Sequence, residues 1–301
     1  MAGHFELSFE LGDLALAGAE QACQAAGALA VTLSAADQEA VLEPWPGELK
    51  LWRATRVQAL FAAERAGPSL ILELATLLGI EPTRLAARAV AERVWEREWL
   101  RDFHAMRFGE RLWVCPHHEQ VSDPYATIVR LDPGLAFGTG THPSTALCLQ
   151  WLDATARSDA ALSQLRVIDF GCGSGILGIA ALRLGARRVY AHDIDPQALL
   201  ATAGNARDNA VAERLEVCEH LEALPAGCEL LLSNILGPTL RAQRERFAAL
   251  VGRGGRLVMA GMLADEQAEM AAAFAKWFDI RLFAERDDWI ALCGTRNDAP
   301  V

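Results

Sequence analysis

The chain has few of the features that mark membrane, secreted or metal-binding proteins. Its 301 residues include two lysines, and the amino terminus has no basic segment followed by an apolar run, so we expect no signal peptide. No uncharged apolar stretch approaches the roughly 18 residues that a transmembrane helix needs. The seven cysteines contain no C-x-x-C pair, so neither a zinc site nor a disulfide framework is indicated. We therefore expect a cytoplasmic protein with reduced thiols and no metal.

The charge balance bears on the class of partner. There are 39 acidic and 28 basic residues, giving a formal net charge of −11. Nucleic acids and membrane surfaces attract clustered positive charge, so this composition argues against both and permits a basic partner. Hydrophobic residues make up 52% of the chain, enough for a sizeable core in one large domain or two ordinary ones.

Residues 1–92 show the pattern of a small α+β domain. Phe5, Leu7 and Phe9 alternate with polar residues, as in a half-buried strand. A helix, a strand near Ala28–Leu33 and a further strand at Leu49–Thr55 follow. A mostly helical stretch then runs to Leu78, before a last strand within 83–92. This β-α-β-β-α-β order predicts a ferredoxin-like domain.

The rest of the chain divides into a linker and a larger domain. Residues 93–104 predict a linker helix, because Trp95, Trp99 and Phe103 are four apart and share one helix face. The same stripe is equally explained by packing on a neighbouring domain. Across 105–301, strands alternate with helices and a hairpin closes the sequence. That order predicts an α/β fold with a mostly parallel sheet and an antiparallel edge.

A glycine-rich turn lies between a predicted strand and a predicted helix. Glycines at 171, 173 and 175 let a ligand approach the backbone beside the positive end of the helix. Gly173, Gly175 and Gly178 match the dinucleotide pattern G-x-G-x-x-G, which alone is weak. The pattern D-x-G-x-G-x-G, starting at Asp169, instead resembles the S-adenosylmethionine site of class I methyltransferases. A carboxylate there would repel a pyrophosphate but attract the methionyl ammonium, directly or through water. Close strand–helix packing is the purely structural interpretation.

Asp193 ends the next predicted strand, about 20 residues after the turn. A carboxylate in this position can accept hydrogen bonds from ribose hydroxyls, whichever nucleoside is bound. Asp195 precedes Pro196 and is better explained as a helix N-cap. His192 should face the opposite side of the sheet as a packed histidine.

Asn234 stops an apolar strand abruptly, followed by Ile, Leu, Gly and Pro. This resembles the Asn-Pro-Pro-aromatic motif of amino-methyltransferases, with apolar residues in the middle positions. The Asn234 oxygen could accept an N–H bond from a neutral amine and aim its lone pair at a methyl group. Asn234 is also a common strand-ending turn residue, and that interpretation stays open.

Residues 131–145 form a glycine-rich loop before a helix that Ser144 and Thr145 could begin or cap. We interpret it as a lid on the cofactor, with Phe137 as an apolar wall; an ordinary loop is the alternative. His142 is a weaker candidate for a general base. Cys172 is an unfavoured nucleophile because no partner base can be named.

Together these segments resemble the PrmA family, bacterial methyltransferases of large-subunit ribosomal protein eleven. The resemblance covers most of the second half and the linker, and residues 1–90 more weakly. It rests on WEREW (95–99), FGERLWVCP (108–116), LDPGLAFGTGTHPST (131–145), VIDFGCGSGILGIAALRLGA (167–186), DIDPQA (193–198) and SNIL (233–236).

The resemblance implies a class I, Rossmann-like methyltransferase domain, an N-terminal ferredoxin-like domain that recognises the ribosomal protein, and a flexible linker. It implies trimethylation of lysine ε-amines and of the N-terminal α-amine. S-adenosylmethionine would contact Thr145, Gly171, Asp193 and Asn234, with Asn234 also facing the amine. A nicotinamide-dependent dehydrogenase, a non-catalytic binding module and a methyltransferase for another acceptor remain as alternatives.

Overall fold

The structure is a computed structural model that describes residues 3–35, 54–90, 103–132, 140–158 and 160–301. The chain forms two compact units, Met1–Val94 and Trp95–Val301. Most of the linker helix expected over 93–104 lies outside the described residues, so that helix stays a prediction.

The first unit has one four-stranded antiparallel sheet in the order β2-β3-β1-β4. Its elements follow the predicted β-α-β-β-α-β order. They are β1 (His4–Glu10), α1 (Leu16–Ala25), β2 (Ala30–Ala35), β3 (Thr55–Ala62), α2 (Pro68–Leu78) and β4 (Ala86–Val90). One hydrophobic cluster from the strands and both helices forms its core.

Strand β3 corrects one detail of the sequence analysis. The residues after Thr55 were expected to be mostly helical, yet they pair with both β1 and β2. Val57, Ala59 and Phe61 are fully buried and alternate with more exposed residues. A period of two fits a strand, and burial on the helix-covered side of the sheet outweighs the helix propensity of the alanines. The expected strand Leu49–Thr55 lies almost entirely outside the described residues.

The second unit contains a seven-stranded sheet in the order β10-β9-β8-β11-β12-β14-β13. Strands β8 to β12 run parallel, and β14 pairs antiparallel with both β12 and β13, which confirms the predicted sheet and closing hairpin. The strands are β8 (Arg166–Phe170), β9 (Arg188–His192), β10 (Leu215–Val217), β11 (Cys228–Asn234), β12 (Val251–Leu263), β13 (Phe278–Arg286) and β14 (Trp289–Arg296).

Helices pack against this sheet, and two apolar clusters of helix and strand residues form the core. No helix within the described ranges is long and apolar enough to cross a bilayer. The helices of the second unit are α3 (Pro143–Ser158), α4 (Ile176–Arg183), α5 (Pro196–Asp208), α6 (Gly237–Ala242), α7 (Arg244–Leu250) and α8 (Gln267–Phe274).

A separate three-stranded sheet precedes α3 and was not predicted. It consists of β5 (Met106–Phe108), β6 (Leu112–Cys115) and β7 (Thr127–Arg130), with β6 central. Strands of three or four residues are too short to show a clear period in the sequence.

Asp153 joins this small sheet to α3. Its carboxylate is fully buried and accepts the backbone N–H groups of Glu110, Arg111 and Leu112 at 2.7, 3.1 and 3.1 Å. Three charge-assisted hydrogen bonds to consecutive amides close the turn between β5 and β6 around one helix residue. These hydrogen bonds fix the position of α3 relative to the small sheet, and therefore also the position of the residues in its first turn.

Replacing Asp153 with alanine should lower the free energy of unfolding by about 3 kcal/mol, because three backbone N–H groups, that of Leu112 fully buried, lose their charged acceptor. Urea denaturation measures the loss. Glu110→Ala is the matched control, since it removes only the exposed partner of Arg157 and should change stability by less than about 1 kcal/mol. Equal effects of the two substitutions would contradict this role of Asp153.

Candidate active site

The glycine-rich turn connects β8 to α4 at the carboxyl edge of the parallel sheet. Gly171, Gly173 and Gly175 have φ angles of 76°, 54° and 79°, all in the left-handed region. The N–H groups of Gly171 and Cys172 both donate to the carbonyl of His192 at the end of β9, at 2.8 and 3.1 Å. The turn is thus held against the neighbouring strand, and it opens toward the crevice where α/β sheets bind ligands.

Asp193 lies beside this turn, as the sequence predicts for a residue that follows β9. One carboxylate oxygen accepts the N–H of Gly173 at 2.9 Å, and the other accepts the N–H of Asp195 at 3.0 Å. Asp195 in turn caps α5 by accepting the N–H of Gln197, which confirms its predicted role. Ile194, between the two acids, is 94% exposed. No local pattern in the sequence marks an apolar residue at this edge as exposed.

Asp169 faces the start of α4 from inside the fold. It is 1% exposed, and one of its oxygens accepts the N–H of Gly178 at 2.8 Å. Among the described residues, none donates a hydrogen bond to its other oxygen, Oδ1. Burial raises the pKa of Asp169 to about 7, and the nearby charge of Asp193 adds to the rise, while the Gly178 N–H opposes it. A cationic group placed here would restore the ionised form.

Asn234 and Thr145 meet although 89 positions separate them in the chain. The Asn234 side-chain N–H donates to the Thr145 hydroxyl at 3.0 Å. Thr145 is buried in the first turn of α3, and Asn234 ends β11. The hydrogen bond fixes the amide plane of Asn234, which leaves its oxygen as the acceptor for a ligand.

Ile235 lies in a narrow space between two glycines. A Cβ atom on Gly171 would overlap the Ile235 side chain, and a Cβ on Gly261 would overlap the Ile235 backbone. Gly261 has a φ angle of 91°, which a side chain would also strain. Ser233 adds a hydrogen bond to the carbonyl of Phe170 at 2.9 Å. Ser233 is therefore held on the end of β8, and Ile235 packs against the glycine-rich turn, one on each side of Asn234.

His142 stands near the same edge but is engaged locally. Its Nδ1 atom accepts the N–H of Ser144 at 3.2 Å and lies 2.7 Å from the Ser144 hydroxyl. The ring meets Trp289 edge-on, with the ring centres 4.5 Å apart. Trp289 is the first residue of β14, and no sequence motif indicates that it contacts His142.

Two further candidates are structural. His192 is buried with its Nδ1 atom 2.7 Å from the carbonyl oxygen of Cys218, which confirms the prediction of a packed histidine. Cys172 is buried near Thr202, and burial raises the pKa of its thiol, which disfavours a thiolate nucleophile. All seven cysteines are free. In the part of the chain that the structure describes, no group of three His, Cys, Asp or Glu side chains could hold a metal ion.

The site combines a glycine-rich turn, an acid after β9 and an asparagine at the end of β11. A comparison of the chain with known protein families assigns it to a family. The family described as ribosomal protein L11 methyltransferase (PrmA) matches residues 4–297. The chain belongs to this family. The resemblance seen in the sequence is confirmed, and membership of a methyltransferase family disfavours the dehydrogenase interpretation of the turn.

Individual PrmA relatives match along nearly their whole length. A ribosomal protein L11 methyltransferase from Alkalilimnicola ehrlichii is 42% identical over 295 residues, which cover 98% of this chain and 99% of that protein. A relative of the same name from Methylococcus capsulatus is 45% identical over 274 residues, covering 90% and 92%. The crystal structure of a ribosomal protein L11 methylase from Lactobacillus delbrueckii subsp. bulgaricus matches with a TM-score of 0.58 and 29% identity, covering 65% of this chain and 100% of that one.

The titration of Asp169 leads to a prediction about stability. Its pKa in the fold exceeds its ordinary value of 3.8, so the folded state binds more protons than the unfolded state between about pH 4 and 7. Its contribution to the free energy of unfolding must therefore fall as pH rises through this window. Asp169→Asn resembles the neutral acid and does not titrate.

Relative to the unaltered protein, Asp169→Asn should gain about 2 kcal/mol of stability between about pH 5.5 and pH 8. Denaturant unfolding of both proteins at the two pH values, without ligand, measures the difference. A stability difference that does not change with pH would contradict a neutral, buried Asp169.

Proposed function

We propose that this PrmA family member is an S-adenosylmethionine-dependent methyltransferase that trimethylates lysine ε-amines and the N-terminal α-amine of ribosomal protein L11. The observation that carries the proposal is the Asn234–Thr145 hydrogen bond beside the glycine-rich turn. This hydrogen bond orients the Asn234 amide, and we assign its oxygen to the point where the methyl donor and the amine meet.

The polar groups around the turn fit S-adenosylmethionine. The Asp193 carboxylate uses one hydrogen bond on each oxygen, so further lone pairs remain for two ribose hydroxyls. Exposed Ile194 offers an apolar surface to the base. Asp169 and the backbone at Gly171 and Gly173 form the region for the methionyl end, where the unsatisfied Asp169 oxygen suits an ammonium. When bound, S-adenosylmethionine supplies an electrophilic methyl group.

Asn234 acts on the acceptor amine. A lysine with the ordinary pKa of 10.4 needs about 4.6 kcal/mol to become neutral at pH 7. A site that excludes water disfavours the ammonium and lowers this requirement. The Asn234 oxygen can accept one amine N–H, which directs the nitrogen lone pair and replaces random orientation by a fixed one. This chemistry needs positioning rather than a covalent intermediate, so Cys172 and His142 have no required role.

Several observations support a ribosomal acceptor. The relatives that match over most of their length carry ribosomal protein L11 in their names. The net charge of −11 favours the approach of a basic protein. We assign recognition of that protein to the first unit. We further propose that the enzyme acts in the cytoplasm as a monomer, without a metal, a membrane or direct nucleic-acid contact.

Methyl transfer to purified ribosomal protein L11, followed by intact-protein mass spectrometry, tests the function. The expected result is a series of single-methyl steps that ends at multiples of three. Cofactor binding without any mass gain would retain the methyltransferase assignment and show that the acceptor is a different amine. Absence of cofactor binding would overturn the proposal as a whole.

Replacing Asn234 with alanine should reduce kcat by at least about 100-fold, because the amine loses its acceptor. The melting temperature should change little, since Asn234 is only half-buried. Asn234→Asp is the matched control: it keeps an oxygen acceptor, loses the N–H to Thr145, and should retain more activity than the alanine variant. Full activity of Asn234→Ala would remove its assigned role.

A further inference from the structure

One face of α5 carries polar side chains that bind backbone groups outside the helix. Thr202 and Asn205 are three positions apart and share a face, and Asn209, the C-cap residue that follows α5, lies four positions further on. Thr202 is fully buried, Asn209 is 4% exposed, and Asn205 is half-buried between them. Buried polar residues on a helix that packs against a ligand-binding turn need a specific reason, because each must be satisfied by a partner.

Thr202 and Asn205 bind two carbonyl groups of the glycine-rich turn. The Thr202 hydroxyl donates to the carbonyl of Gly173 at 3.0 Å, and the Asn205 amide donates to the carbonyl of Ser174 at 2.8 Å. The N–H of Gly173 is already held by Asp193. Gly173 is therefore fixed on both sides, by a carboxylate at its N–H and a hydroxyl at its carbonyl.

Asn209 extends the same row to β7. Its side-chain oxygen accepts the N–H of Arg130 at 2.7 Å, and its side-chain N–H donates to the carbonyls of Arg130 and Asn205 at 2.7 and 2.8 Å. The amide of Asn209 is thus fully engaged. These hydrogen bonds fix the distance between the end of α5 and β7. They therefore also fix the position of Thr202 and Asn205 relative to the glycine-rich turn.

The turn needs such support because three of its five residues are glycines in left-handed conformations. Glycine has more backbone freedom to lose than any other residue, and a turn left free would lose it when a ligand binds. Hydrogen bonds that order the turn beforehand reduce that loss and strengthen binding. The carbonyls of Gly173 and Ser174 are occupied by side chains of α5.

We infer that Thr202 and Asn205 are positioning residues for the methyl donor, acting through the carbonyl groups of the glycine-rich turn. The inference rests on the proposed binding of S-adenosylmethionine at this turn. It assigns to α5 a role in cofactor affinity besides its role in packing.

Calorimetric titration of S-adenosylhomocysteine into Thr202→Val and Thr202→Ser tests the inference. Valine has the shape of threonine without the hydroxyl, so its dissociation constant should rise about five- to tenfold, as expected for one lost hydrogen bond. Serine keeps the hydroxyl and should restore affinity to within about twofold of the unaltered protein. Leu200→Ala, on the exposed side of the same helix, is the control and should bind normally.

Melting temperatures accompany each titration. Equal weakening in the valine and serine variants, or unchanged affinity in the valine variant, would overturn the inference while the proposed function stands. If Thr202→Val fails to fold, Asn205→Asp replaces it, because a carboxylate cannot donate to Ser174 and its site is only half-buried. Affinity within twofold of normal in Asn205→Asp would likewise overturn the inference. If the unaltered protein binds no S-adenosylhomocysteine, the proposed function and the inference both fall.

Discussion

The site depends on the close packing of Ile235 between Gly171 and Gly261. Strands β8 and β11 are adjacent and parallel, so the segments that follow them leave the sheet side by side. Only glycine at both positions leaves room for Ile235, and this contact sets the spacing between the glycine-rich turn and Asn234. Methyl transfer is sensitive to spacing, since a small displacement of the reacting groups greatly lowers the rate. A rigid contact beside Asn234 suits that requirement better than a free loop.

Asp169 and Asp193 lie at the same edge of the sheet but in different environments. Asp193 is half-buried and has a hydrogen bond on each carboxylate oxygen. Asp169 is buried with one bond and an oxygen without a donor among the described residues, and burial raises its pKa. We therefore propose different tasks for the two acids: Asp193 orders the turn and offers acceptors to a ligand, whereas Asp169 pairs with a cationic group.

The sequence predicted those features that depend on local pattern. Strands β8, β9 and β11 are short apolar runs that end at turn residues, and the ends of parallel strands meet at one edge of the sheet. The sequence therefore predicts that Asp193 and Asn234 lie near the glycine-rich turn, while their roles toward a ligand stay predictions. Strand β3 was misread because alanine is compatible with either period, and β5 to β7 are too short to show one. Contacts such as Asn234 with Thr145 depend on how helix α3 is set by Asp153, which no local pattern encodes. The same holds for Trp289 with His142.

A crystal structure of the protein with S-adenosylhomocysteine and a lysine peptide would show whether the glycine-rich turn, Asp193 and Asn234 form one site. We expect ribose hydroxyls on Asp193, the amino-acid end of the cofactor beside the glycine-rich turn, and the lysine nitrogen within hydrogen-bond distance of the Asn234 oxygen. A ligand that leaves Asp193 uncontacted, or a lysine held away from Asn234, would contradict this expectation.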